Sequence, residues 1–157
     1  MTTPQGVVFD CNVFFQSLVS PTGPARRLFG HVTAGSLTLY VSSQILDELH
    51  ELITRPEIVS RYRLVEAAID EFFADVTRCS TRIDRVPHVF DLPRDPDDAH
   101  YVDLAVAANA KLVVSRDKDL LSLRDQGTIE GRDFAARFPE LQILTPPELL
   151  ALVGQQS

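Results

Sequence analysis

The sequence is short of the features that would place it in several large protein classes. It has two cysteines, Cys11 and Cys79, far apart and without a neighbouring cluster of thiolates or histidines. A disulfide framework or a tetrahedral zinc site needs more ligands than this, so two free and mostly buried thiols are expected. No apolar run approaches the ~20 residues that cross a bilayer. No basic segment followed by an apolar stretch opens the sequence, so a soluble, cytoplasmic protein is expected. Gly-rich phosphate loops of the Walker or Rossmann type are missing, as are a GxSxG elbow and clustered histidines. Cations are also scarce: 15 Lys and Arg stand against 22 Asp and Glu, for a net charge of −7. This argues against a broad surface that coats nucleic acid, since phosphate binding draws on Lys and Arg. A local basic groove remains compatible with it, and so do carboxylates gathered around a cation, because a bound ion inverts the local field.

What is present is an ordinary globular composition, 45% hydrophobic and 24% charged over 157 residues. One domain over residues 1–157 is expected, with no internal repeat or linker. Gly6-Val7-Val8-Phe9 reads as a buried strand with Asp10 at its carboxyl end. Val13-Phe14-Phe15 and a turn-rich SPTGP stretch follow. A helix then starts at Pro24, carries Leu28, Phe29 and Val32 inward, and stops at Gly35. Arg26 and Arg27 lie off its apolar stripe as solvated charges. A second strand is predicted over Leu37 to Val41, with Ser42 or Ser43 capping the next helix. In that helix Ile45, Leu46, Leu49, Leu52 and Ile53 form one stripe. Glu48 falls on the edge of the stripe, while Asp47 and Glu51 point away from it.

Pro56 ends or kinks this helix, and a second helical run carries Leu64 to Val76. Residues 82–94 form a Pro-broken connector in which His88 has no partner pattern. In DPDDAHYVDLAVAANA, Asp95 fits an N-cap, Pro96 the first helical position, and Asp97 and Asp98 the first turn. Asp98 shares a face with buried Tyr101, Val102 and Ala105, whereas Asp97 does not. Residues 111–115 form another buried strand, with Asp117 at its carboxyl end. Residues 124–139 form a polar insertion, irregular or partly helical; Leu141 to Leu144 form a last short strand before a terminal helix. The recurring strand, helix, strand order predicts an α/β fold, a mainly parallel sheet covered on both faces. Ligands bind beyond the carboxyl ends of the strands in such sheets, so Asp10 and Asp117 are expected on one rim. Several carboxylates there without matching Lys or Arg would repel one another, and hard divalent ions such as Mg²⁺ and Mn²⁺ prefer this oxygen-only ligand set.

These segments resemble the PIN domain family, in particular the branch described as toxin components of toxin-antitoxin systems, VapC-like ribonucleases. The matching stretches are VVFDCNVFFQSLVSP, LYVSSQILDELHELITRPEI, DPDDAHYVDLAVAANAKLVVSRDKDLL and ILTPPELLAL, in the family's order over nearly the whole chain. The resemblance implies a three-layer α/β/α fold and an endoribonuclease that hydrolyses single-stranded RNA with Mg²⁺ or Mn²⁺. Its implied catalytic and metal-binding set is Asp10, Glu48, Asp98 and Asp117. Asn12 matches the supporting polar residue beside the first acid, and Ser115 stands where the family usually has Thr. Asp103 is an auxiliary ligand or supporting group, and Asp119 supports the turn rather than binding metal. Arg94, Arg116 and Lys118 adjoin the acids and are candidates for RNA phosphate contacts. The implied partners are RNA, a protein antitoxin and a second copy of the chain, without a membrane. The segment from Asp125 to Phe138 is longer than the branch leads one to expect. The alternative is a PIN-like module that no longer cuts and only binds RNA or protein. An aspartyl-phosphate enzyme is disfavoured because Asn12 stands where such enzymes commonly carry a second Asp.

Overall fold

A computed structural model of the chain describes residues 3–155. Five strands form one sheet: β1 (Gln5–Phe9), β2 (Leu37–Val41), β3 (Ser80–Arg82), β4 (Leu112–Val114) and β5 (Gln142–Leu144). Their spatial order is β3-β2-β1-β4-β5 and every pairing is parallel, so the expected mainly parallel sheet is parallel throughout. Helices cover both faces, giving the three-layer α/β/α architecture. Covering both faces requires strands that are apolar on both, and Val7, Val8, Phe9, Val113 and Val114 are almost completely buried. From the centre, β1 to β2 runs to one side and the chain later returns to place β4 on the other. The carboxyl ends of β1 and β4 therefore flank the point where the winding reverses, where open α/β sheets leave a crevice.

The first helix, α1 (Cys11–Val19), was not foreseen from the Phe- and Val-rich stretch that forms it. Asp10 caps it, its side chain accepting the Val13 N–H at 2.9 Å, and Val13, Phe14 and Phe15 turn into the core. The cap is a carboxylate that the sequence pattern also marks as a ligand, so the helix signal lay hidden in the functional one. Arg26 is not merely solvated. Its guanidinium donates to the Ser17 and Leu18 carbonyls, which lack helical partners at the end of α1.

Helix α2 (Pro24–Thr33) begins at Pro24 and is followed by Gly35 at φ +86°. Helix α3 (Ser43–Thr54) is capped by Ser42 and buries Ile45, Leu49 and Ile53. Pro56 opens α4 (Pro56–Tyr62), and α5 (Glu66–Cys79) brings Ile69, Phe72 and Val76 to the core before β3. A 3₁₀ turn, Pro96–Asp98, leads into α6 (Ala99–Ala108), and α7 (Lys118–Leu121) follows β4.

The polar insertion folds rather than hanging loose. Helix α8 (Ile129–Arg137) is capped by Thr128, and Phe134 packs edge-on against Phe90 at 5.7 Å. Gly131 permits the tight entry: a Cβ there would stand 1.9 Å from the Asp125 carbonyl oxygen. Helix α9 (Pro146–Gln155) closes the described chain. No helix among the described residues is long and apolar enough to cross a membrane. Both cysteines are free and partly buried.

Candidate metal centre

The site grows from the register of two neighbouring strands. Phe9 lies beside Val114, and the Asp10 N–H donates to the Val114 carbonyl at 3.1 Å, so Asp10 and Ser115 leave the sheet side by side. Asp10 is 3% exposed. One of its oxygens caps α1, and the other accepts the Ser115 hydroxyl. That hydroxyl has a single proton, directed to Asp10, and it accepts the Asp117 N–H at 2.9 Å. Ser115 therefore ties the first acid to the last. Asp117 in turn caps α7, accepting the Leu120 N–H at 3.2 Å. Burial pushes the Asp10 carboxyl up to about 6 against the pull of the Ser115 and Val13 hydrogen bonds, and the Asp117 charge adds to the rise.

Asp98 comes in from the turn before α6. Its carboxyl is pushed up to about 8, first by burial and then by the negative charges of Asp95, Asp117 and Asp10. Asp98 thus feels the charges of Asp10 and Asp117, two others of the expected set. The structure also sets Asp95 and Asp119, read from the sequence as structural, beside Asp117. Asp95, Asp117 and Asp119 each offer a carboxylate oxygen, and these three oxygens lie within 4.8 Å of one another. Asp95 makes no side-chain cap bond, because the chain enters α6 through a 3₁₀ turn. Asp119 lies in the first turn of the helix that Asp117 caps, which brings both carboxylates to one end. The Asp-x-Asp spacing at 117 and 119 was the available signal.

Glu48 stands on the other wall. It lines, with Asp10, Asn12, Asp98 and Tyr101, an open cleft of about 340 Å³. Three side chains converge on its carboxylate: His100 Nε2 at 3.0 Å from Oε1 and 3.2 Å from Oε2, the Tyr101 hydroxyl at 3.1 Å and Cys11 Sγ at 3.5 Å, both to Oε2. Burial alone would raise the Glu48 pKa, but His100, Tyr101 and Cys11 outweigh it and hold the carboxyl below its usual value. Burial pushes the Cys11 thiol up to about 12, so it stays protonated as a donor. Neither His100 nor Tyr101 was singled out for this role, since both follow Asp98 in an apolar helical pattern. Arg55, also unforeseen, brings a basic side chain into the lining of this cleft and pairs with Glu51 at 3.3 Å.

Asp103 faces a different task. It is buried, and one oxygen accepts the Val89 and Phe90 N–H groups at 2.9 Å each, while the other meets His88 Nδ1 at 2.8 Å. His88, without a partner in the sequence pattern, bridges Asp103 and Asp91, and Asp103 foremost raises its pKa. Both Asp103 oxygens are thus occupied by the 88–90 connector. Asp97 is exposed at the mouth of the cleft. Arg94, Arg116 and Lys118 are exposed, and among the described residues none of them is in an ion pair.

The donor set suits a hard divalent cation. All of the converging groups are carboxylates, and among the described residues no Lys or Arg pairs with Asp10, Asp95, Asp98, Asp117 or Asp119. Burial first, and repulsion from neighbouring carboxylates second, raises the Asp10 and Asp98 carboxyls, and a bound cation would offset both.

A family model described as PIN domain matches residues 6–119. An uncharacterised protein of Methanocaldococcus jannaschii is 28% identical over 144 residues, covering 92% of this chain and 88% of that protein. Among solved structures, a chain of VapBC2 from Rickettsia felis, crystallised with a DNA fragment from its promoter, superposes with a TM-score of 0.53 at 14% identity. The match covers 89% of this chain and 98% of that one, and at such low identity it is a likeness of fold.

Proposed function

The chain belongs to the PIN domain family, and from that premise we propose that it is a metal-dependent endoribonuclease acting on single-stranded RNA, the toxin of a toxin-antitoxin pair. The observation that carries this reading is the convergence of Asp10, Asp98 and Asp117, joined by Asp95 and Asp119, without a basic counter-charge. Mg²⁺ or Mn²⁺ is the proposed cofactor. In this proposal Asp10, Asp98 and Asp117 hold the ion, and Asp95 and Asp119 extend the set around Asp117. When bound, the ion supplies Lewis-acid polarisation of the phosphodiester and a more acidic water.

The chain's own groups do the remaining work. Ser115 fixes Asp10 and the start of α7, and so keeps the two ends of the acidic group in register. Glu48, across the cleft, orients the attacking water or contributes to a second ion. Arg94, Arg116 and Lys118 offer phosphate contacts at the rim, and Arg55 offers another within the cleft. Asn12, exposed on the cleft lining, is the proposed supporting polar residue beside Asp10. One hydrophobic core supports treating the chain as a single domain. A basic side chain of an antitoxin would meet complementary charge in the same cleft. Each Asp103 oxygen already meets the 88–90 connector, so in this proposal Asp103 serves the connector rather than the ion.

The test is cleavage of single-stranded RNA by purified protein with Mn²⁺ or Mg²⁺, with EDTA, and with Asp10→Asn. Cleavage only by wild-type protein with metal is expected. Cutting that persists in both controls would sink the proposal, and RNA binding without cutting would favour the inactive module.

A further inference from the structure

We infer that His100 is a positioning residue that fixes the Glu48 carboxylate facing the acidic group, with Tyr101 as its backing. The inference rests on the nuclease reading for its consequence in catalysis, but its geometry stands apart from it. Glu48 lies at the edge of the α3 stripe, where a long carboxylate side chain would ordinarily sample several rotamers. Here three hydrogen bonds converge on one of its oxygens, Oε2.

The Tyr101 hydroxyl accepts the Cys11 N–H at 3.1 Å, so its own proton is free for only one direction, towards Glu48 Oε2. The Cys11 thiol also points at Oε2. His100 Nε2 is hydrogen-bonded to the same Oε2 at 3.2 Å and stands 3.0 Å from Oε1. With Oε2 held by His100, Tyr101 and the Cys11 thiol, Oε1 keeps its lone pairs for the cleft.

The imidazole is itself tightly held. Its side chain is 9% exposed, and its ring lies against the Tyr101 ring at 4.1 Å and 37°. Its other nitrogen, Nδ1, is buried without a hydrogen-bond partner. Burying an unpartnered ring nitrogen is unfavourable, and an apolar side chain of similar shape would pack there without that cost. The polar function that His100 retains is the bond to Glu48. A carboxylate bonded in this way is pre-oriented before substrate arrives, as side chains behind metal ligands commonly are.

The experiment compares wild type with His100→Phe, which keeps the ring packing and removes the donor, and with His100→Gln, whose amide N–H falls near the Nε2 position. Melting temperature, Mn²⁺ affinity by calorimetry and the separate kcat and KM for single-stranded RNA are measured for each. We expect His100→Phe to melt close to wild type while kcat or Mn²⁺ affinity falls by about ten- to a hundred-fold, with KM little changed. His100→Gln should recover most of the loss. Wild-type kcat and Mn²⁺ affinity in His100→Phe would overturn the inference, as would equal losses in both variants accompanied by lowered melting temperatures. If wild-type protein cuts no RNA, the nuclease reading fails, and Mn²⁺ affinity alone decides the role of His100.

Discussion

Replacing Asp10 with Asn should make the metal-free protein more stable near pH 8, although it removes a central acidic residue. The buried Asp10 carboxyl rises from 3.8 to about 6, so between those values the folded chain holds a proton that the unfolded chain releases. Stability contributed by the protonated form is complete at low pH and is lost as pH rises through this window. At ~1.36 kcal/mol per unit, the roughly two-unit gap amounts to about 3 kcal/mol of destabilisation above the window, an upper figure before relaxation around the charge. Asn carries no such penalty. Its Oδ1 can still accept the Val13 N–H that caps α1, and its amide can donate to the Ser115 hydroxyl. For a chain of this length, ~2–4 °C per kcal/mol places the gain at no more than about 12 °C. Thermal melts in EDTA near pH 8 and near pH 4 measure it, with the advantage expected only at the higher pH. Millimolar Mn²⁺ should narrow or invert the difference, since the ion stabilises the carboxylate cluster of the wild type more. A variant that is no more stable than wild type near pH 8, or equally favoured at both pH values, would refute the reasoning.

Other substitutions separate the roles of the remaining residues. Asp103→Ala leaves the Val89 and Phe90 N–H groups without their acceptor, and should cost about 1–3 kcal/mol for each group that stays buried. Its Mn²⁺ affinity by calorimetry should match wild type; a clear loss of affinity at unchanged stability would make Asp103 a ligand after all. Asp119→Asn should instead weaken Mn²⁺ binding by roughly ten-fold or more while leaving the urea midpoint nearly unchanged. Unaltered affinity would return Asp119 to a purely structural role. Gly131→Ala places a Cβ against the Asp125 carbonyl and should lower stability by about 1–3 kcal/mol, read from denaturant unfolding. An unchanged midpoint would mean that the 125–131 turn can relax.

The architecture was legible because its signals are local. Short apolar runs ending in Asp10 and before Asp117 mark parallel strands buried on both faces, and Pro24, Gly35 and Ser42 mark helix ends through backbone chemistry that needs no distant partner. Helix α1 escaped because the same carboxylate that begins it is also a functional residue, and because Val13-Phe14-Phe15 is compatible with either period. His88 and Asp103 could not be paired from sequence, since their contact forms only when the Pro-broken connector folds back on α6.

The amino-acid sequence by itself determined the α/β order, the parallel sheet and the arrival of acidic residues at strand and helix ends, because hydrophobic period and capping chemistry act over a few residues. Only the tertiary structure decided which carboxylates share a field. The register of β1 against β4 brings Asp10 to Ser115 and Asp117, and the 3₁₀ turn before α6 brings Asp95 and Asp98 alongside. The same folding turns His100 and Tyr101 towards Glu48, some fifty residues away in the chain. Charge repulsion and hydrogen bonding depend on distances in space, and those are set by packing between elements rather than by spacing along the chain.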